Sequence, residues 1–371
     1  MHVLNLISES SPAAASIHLV HRNIAQQLGE RGVSVDNALV CGKGLEGVGV
    51  CLGHEFDTLR RPRKHPLRYR RLLRELLSVV RDGNYYAVIV DGLLSANALL
   101  ALDDKIPQHC LRVMVVHGRV NIGKRKLPAL DKVVERGFPD NWKIVTVSQD
   151  SASYLAPQLI EADSDLNVIE NCLDGRELTS GLLPREDAAK ALGVAADGIV
   201  LGAIGRLSPE KDYASVIKAF AAIDTSAQLL FIGDGKERVA LEALAQELGL
   251  ASRVVFAGAI DGASRYLKVF DGFIMSSLTE GSPVAMIEAM LAGRPVVGSD
   301  IAPVAGVLPA NYPYTFQAGN DDSLAACLRT FLDSSSEWTS LGRELAELAG
   351  TRFSPERFGD AYYGLLQRGV Q

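Results

Sequence analysis

Two carboxylates and two cations in the second half of the chain are spaced as a site for a phosphate-bearing ligand would need them. Glu280 and Glu288 stand with seven residues between them in the stretch FIMSSLTEGSPVAMIEAMLAGRPVVGSD, residues 273–300. From Val284 to Ala292 every residue is apolar except Glu288. A helix apolar all round is a buried one, and an ionised carboxylate buried without a partner costs several kcal/mol. Glu288 therefore meets either a protein cation or donors that arrive from outside, such as a pair of hydroxyls. Glu280 precedes the turn Gly281, Ser282, Pro283, whose free N–H groups and positive helix end suit a phosphate. Upstream, GRLSPEKD separates Arg206 from Lys211 by a short turn through Pro209. Both side chains can then reach one anion and clamp it. The plain alternative is a salt-bridged Glu288 among ordinary surface charges.

The elements that must position these residues follow from their neighbours. Phe273 to Ser277 is an apolar run of strand length, Ser282 and Pro283 read as a helix start, Gly293 as its stop, and Pro295 to Gly298 as the next strand. Ile199 to Ile204 is a strand flowing into Arg206, with a helix from Tyr213. Gln228 to Ile232 runs into the turn Gly233, Asp234, Gly235, and Val254 to Phe256 into Ala257, Gly258, Ala259. In the first half, Met1 to Ser8 reads as a strand and Ala15 to Gly29 as a helix with Ile17, Val20, Ile24 and Leu28 on one face. Three further strands end in Asp91, His117 and Ser148. Ligands of open parallel sheets bind at the carboxyl ends of strands, so these residues point at one crevice. His18 and His21 lie at helical spacing and are expected on the helix flank, with no third ligand evident. The Asp163-x-Asp165 pair precedes a strand rather than ending one. No metal site is expected at either place.

The Glu-to-Glu spacing together with GRLSPEKD resembles the signature of the retaining family 4 glycosyltransferases. The resemblance covers residues 85–300 and is strongest over 202–300. It implies an α/β chain of the GT-B fold, two facing Rossmann-like domains with an interdomain cleft. Residues 1–170 would bind the acceptor, residues 171–352 would bind a nucleoside diphosphate sugar, and residues 353–371 would be a helix crossing back to the first domain. By the same resemblance His117, Arg206, Lys211 and Glu280 are the catalytic set. Gly205, Gly233, Asp234, Gly235, Gly258, Ala259, Gly281, Ser282, Pro283, Val284 and Glu288 surround the donor, Glu288 on its ribose hydroxyls. Transfer would be front-face and metal-independent, with no cofactor. This sequence departs from the pattern at Ala13 to Ser16, where glycines often approach the phosphate. It departs again at Cys172, which replaces glycine in the crossover Asn171, Cys172, Leu173, Asp174, so that a left-handed conformation there is strained or absent.

Composition sets the outer bounds. The chain has 371 residues, 47% of them hydrophobic, ample core for two domains. Its five cysteines are scattered without a CxxC pair, which argues against both a disulfide framework and a zinc site. The N-terminus lacks the pattern of a secretory signal and no apolar run spans a membrane, so a cytoplasmic protein is expected. Residues 1–170 hold 21 basic against 19 acidic side chains and the remainder 17 against 25, for a total of −6. The basic excess concentrates in LRRPRKHPLRYRRLLR, residues 59–74, with Arg60, Arg61, Arg63, Lys64, Arg68, Arg70, Arg71 and Arg74 and no acid. Leu72, Leu73, Leu76, Leu77 and Val80 form an apolar helical stripe beside them. An anionic membrane on the inner face, or a lipid-linked glycan acceptor, is the expected partner. Nucleic acid is not, given the acidic total and the lack of interleaved aromatics. Two rivals fit the same motifs: a nucleotide-sugar epimerase of the same fold, and a non-catalytic nucleotide-sugar or glycan-binding protein.

Overall fold

A computed structural model describes residues 1–10, 15–121, 127–159 and 166–369. Ala13, Ala14, Asp163 and Asp165 lie outside these, as do the side chains of Ala15 and Ser16. The chain divides into two compact units, Met1–Cys172 with Pro355–Gln371, and Leu173–Ser354.

The first unit holds seven parallel strands: β1 (His2–Glu9), β2 (Ser34–Cys41), β3 (Val50–His54), β4 (Ala87–Asp91), β5 (Leu111–Val116), β6 (Trp142–Thr146) and β7 (Leu166–Val168), in the order β3-β2-β1-β4-β5-β6-β7. AVIVD in β4 and LRVMVV in β5 are buried at every position. Such unbroken apolar runs are what a parallel sheet covered by helices on both faces requires. The second unit repeats the plan with β8 (Val200–Ile204), β9 (Gln228–Ile232), β10 (Val254–Gly258), β11 (Gly272–Met275), β12 (Val296–Ser299) and β13 (Thr315–Phe316), ordered β10-β9-β8-β11-β12-β13. Both are Rossmann-like. In each the strand order reverses once, between β1 and β4 and between β8 and β11. At that point the loops diverge to opposite faces and leave a crevice beyond the carboxyl ends of the strands.

The helix Ala15–Glu30 buries Val20, Ile24 and Leu28 against one face of the first sheet. The terminal helix Pro355–Arg368 covers the same face with Phe358, Tyr362, Leu365 and Leu366. Each such side chain contributes about 1.5–3 kcal/mol by burial. Arg31 fixes the pair of helices by donating to Asp360 at 2.8 Å and to the Glu356 carbonyl at 2.7 Å.

One local expectation holds and one changes. Cys172 is not left-handed: the described non-glycine residues at positive φ are Asn84, Asp212 and Asn311. Its side chain is buried, and its carbonyl accepts from Asn23 Nδ2 at 3.2 Å. Ser282 does not cap the helix after β11. That helix runs Val284–Leu291 with Pro283 in the cap position, which provides no side-chain cap hydrogen bond.

Candidate active site

In the second unit the chemistry gathers at the β8/β11 reversal. Glycines lace three loops together there. Gly205 N–H donates to the Ile232 carbonyl at 2.9 Å, Leu207 N–H to Asp234 at 3.0 Å, and Gly233 N–H to Gly258 at 2.8 Å. A Cβ on Gly233 would run into the Gly205 carbonyl, and one on Gly235 into the Leu207 carbonyl. These glycines are needed for backbone to lie on backbone, whatever binds above them. Asp234 Oδ1 accepts from Gly235 N–H at 2.7 Å, and its Oδ2 meets Arg238 at 3.2 Å. Gly258 sits at φ 78° and Ala259, next along, is exposed.

Lys211 ends a single 3₁₀ turn, Pro209–Lys211, and Ser276 Oγ donates to its carbonyl at 2.6 Å. Its Nζ donates to Glu280 Oε1 at 2.5 Å, and Ser277 Oγ donates to the same oxygen at 2.6 Å. The structure thus joins a cation after β8 to a carboxylate after β11, with both side chains mostly covered. The Lys211 stem passes 3.7 Å from where a Gly205 Cβ would stand. Arg206 is exposed and makes no ion pair among the described residues.

Glu288 departs from its expected setting. Met286, Ile287, Ala289, Met290 and Leu291 are buried, whereas Val284, Ala285 and Glu288 form one partly open stripe of the helix. Glu288 has no ionic or hydrogen-bond partner among the described residues. Burial raises its carboxyl to about 7, so it is half protonated near neutrality. Gly281 and Ser282 are partly exposed beside this stripe and Pro283 is buried.

At the corresponding β1/β4 reversal of the first unit, sequence reasoning missed the arrangement. His21 does not lie on the helix flank; it is fully buried. Asn5 Oδ1 meets its Nδ1 at 2.5 Å. Burial pulls His21 down to about 4 against the raising influence of Asp91. Asp91 ends β4 and His117 follows β5, with His117 Nε2 3.3 Å from Asp91 Oδ1, within ion-pair reach but off the line of a hydrogen bond. Burial pushes the Asp91 carboxyl up, yet His117, His21 and the Ser8 hydroxyl together hold it below the ordinary carboxylate range. One ligand atom from each of His21, Asp91 and His117 lies within 4.8 Å of the others. The signal was available: two adjacent strands ending in Asp and His. Nothing in the helical spacing of His21 showed that it faces them. His18 stays apart, its Nε2 2.6 Å from the Glu9 carbonyl.

The basic segment is less bare than its composition. In the helix Pro66–Asp82, Leu72, Leu76 and Val80 are buried in the unit's own core, with Leu73 and Leu77 packed against it. The apolar stripe is thus already covered, and Leu67, 76% exposed, is the large apolar side chain left outward. Arg68 pairs with Glu55 at 2.7 Å, Arg71 with Glu75 at 2.8 Å, Arg61 with Asp57 at 3.4 Å and Arg63 with Asp131 at 4.0 Å. Arg60, Lys64, Arg70 and Arg74 are exposed without an ion pair among the described residues.

Residues 184–347 match the family described as glycosyl transferases group 1. This stretch, somewhat less than half of the chain, is similar to that family. The 2-deoxystreptamine glucosyltransferase of Streptomyces kanamyceticus is 26% identical over 78% of this chain and 75% of its own length. The lipopolysaccharide core biosynthesis glycosyltransferase LpsD of Rhizobium meliloti is 32% identical over 56% of this chain, which spans 58% of that protein. Among solved structures, Anabaena HepE in complex with UDP superposes with a TM-score of 0.77 at 20% identity, covering 99% of this chain and all of that one. The fold is therefore that of the GT-B glycosyltransferases. Arg206, Lys211, Glu280, Glu288 and the glycine-laced loops all lie within the matched stretch.

Proposed function

We propose that this chain is a retaining glycosyltransferase moving a hexose-type sugar from a nucleoside diphosphate sugar to a glycan or lipid-linked acceptor. The observation that carries the proposal is the Lys211–Glu280 pair at the β8/β11 reversal with an unpaired Arg206 on the same loop. Glu280 uses one of the three N–H donors of Lys211 and holds its stem in place, leaving two for phosphate oxygens. Arg206 adds a planar, permanently charged donor set. Together they stabilise the negative charge that grows on the departing diphosphate, the work that a metal ion does in other transferases. The bond from the anomeric carbon to the phosphate oxygen breaks as the acceptor oxygen bonds the same face, and the acceptor proton passes to the leaving phosphate. Glu288, open on one stripe and without a partner, accepts the ribose hydroxyls. His117 takes the place that the resemblance gives it, near the donor sugar.

Relatives named for glucosyl transfer and lipopolysaccharide core synthesis, and a neighbour solved with UDP, support a nucleotide-sugar donor and a cell-surface glycan acceptor. The unpaired Arg60, Lys64, Arg70 and Arg74, with Leu67, would hold the first unit on an anionic acceptor or on the inner membrane face through charge rather than insertion.

Calorimetric titration with UDP tests the donor site. Binding that persists in EDTA and fails in Arg206→Ala is expected. Affinity that vanishes with EDTA and returns with magnesium would overturn the assignment of the diphosphate to Arg206 and Lys211. Proton NMR of the first-formed product decides between retention and inversion.

A further inference from the structure

The three groups at the β1/β4 reversal converge, and His117 and Asp91 approach within ion-pair reach. Asn5 spends both amide hydrogens, one on the His21 carbonyl at 2.9 Å and one on Asn37 Oδ1 at 2.8 Å. Its Oδ1 is thus the acceptor facing His21 Nδ1, and the proton of that contact belongs to the imidazole. His21 Nε2 then carries a lone pair. It is fully buried and lacks any hydrogen-bond partner, and the His21 ring lies in the cluster with Asp91 and His117. His117 Nε2 is likewise buried without a hydrogen bond. A buried imidazole with an unpartnered lone pair thus lies within 4.8 Å of a carboxylate and a second imidazole, a set of donors suited to a cation.

We propose that His21 Nε2, Asp91 and His117 Nε2 bind a divalent transition-metal ion, with zinc the best fit to the donor set. Two imidazoles and one carboxylate are a recurrent zinc set with a fourth position left open. Metal–ligand bonds of about 2.0–2.2 Å put neighbouring ligands of a tetrahedral ion roughly 3.3 Å apart. His117 Nε2 and Asp91 Oδ1 are already 3.3 Å apart. The Asn5 contact to His21 Nδ1 is the outer hydrogen bond that fixes the tautomer of a metal-bound histidine. The side chain of His117 is 19% exposed although its Nε2 is buried, and a water molecule would complete the tetrahedron. This ion and the sugar contact proposed for His117 compete for one nitrogen, and the ion does not depend on the transfer reading.

The full chain, dialysed free of metal, is titrated with Zn²⁺ and separately with Co²⁺. One equivalent should bind, and the cobalt form should show ligand-field bands of tetrahedral strength without the thiolate band that the exposed Cys51 would give. Asp91→Asn and His117→Gln should each weaken zinc by 100-fold or more, and Asn5→Ala by roughly 10–100-fold. No stoichiometric zinc at micromolar concentration, an octahedral cobalt spectrum, or equal binding in wild type and variants would overturn the proposal. If the variants do not fold, the cobalt spectrum of the wild type decides alone. Failure here leaves UDP binding by the second unit untouched, and loss of UDP binding leaves the metal titration untouched.

Discussion

The two strand reversals occupy equivalent places in two sheets of the same topology, yet they are electrostatic opposites. At β8/β11 a lysine and a carboxylate neutralise each other beside a free arginine, in loops brought together by glycines. At β1/β4 two imidazoles and a carboxylate gather, and the buried His21 Nε2 among them has no hydrogen-bond partner. The topology therefore decides where a ligand can bind, and side chains at the strand ends decide which one. The first centre accepts an anion because a charged donor is left over. The second accepts a cation because an acceptor is left over.

Removing the leftover charge should break the contrast most. Arg206→Ala and Lys211→Ala should each lower kcat by roughly 10²–10³-fold, as loss of an oxyanion donor does. The metal content of the first unit should stay as in wild type. Equal turnover in either variant would erase the functional difference between the two centres.

Glu288 sharpens the comparison through pH. Its carboxyl is raised from 4.5 to about 7 by burial. A raised acid binds its proton more tightly folded than unfolded, so stability is greatest below the unfolded value and declines as pH rises through the folded one. That decline, up to roughly 3 kcal/mol, should be visible in denaturant titrations and should flatten in Glu288→Gln. An unchanged slope in the variant would refute the assignment.

On the proposed reading the ribose hydroxyls bond the ionised Glu288 carboxylate, so nucleotide binding should release a proton and tighten as pH rises through about 7. Calorimetry in buffers of different ionisation enthalpy reads this directly. Glu288→Ala should cost ~1–3 kcal/mol of nucleotide affinity while the chain stays folded.

The smallest effect concerns the basic helix. Replacing Arg60, Lys64, Arg70 and Arg74 by Gln should cost about 1 kcal/mol each in attachment to anionic vesicles at low salt. Replacing the paired Arg68 and Arg71 should cost less, because Glu55 and Glu75 already neutralise them. Equal losses from both sets would mean that the ion pairs are immaterial to docking.

From the sequence alone came the alternating strands and helices, the reversal loops with their polar ends, GRLSPEKD as a cation pair, and Glu288 as a carboxylate among apolar neighbours. These are local properties, set by side-chain periodicity, turn residues and composition within short windows. Tertiary structure decided what local pattern could not. Lys211 spends part of its charge on Glu280, 69 residues away, because β8 and β11 are neighbours. His21 turns inward because Asn5, on the adjoining strand, holds its ring, and it there meets Asp91 and His117 from two further strands. Four of the eight basic residues between Arg60 and Arg74 find acids on other segments or one helical turn away. Whether a charge is free or spent depends on partners brought close by sheet order, and sheet order is a property of the whole chain.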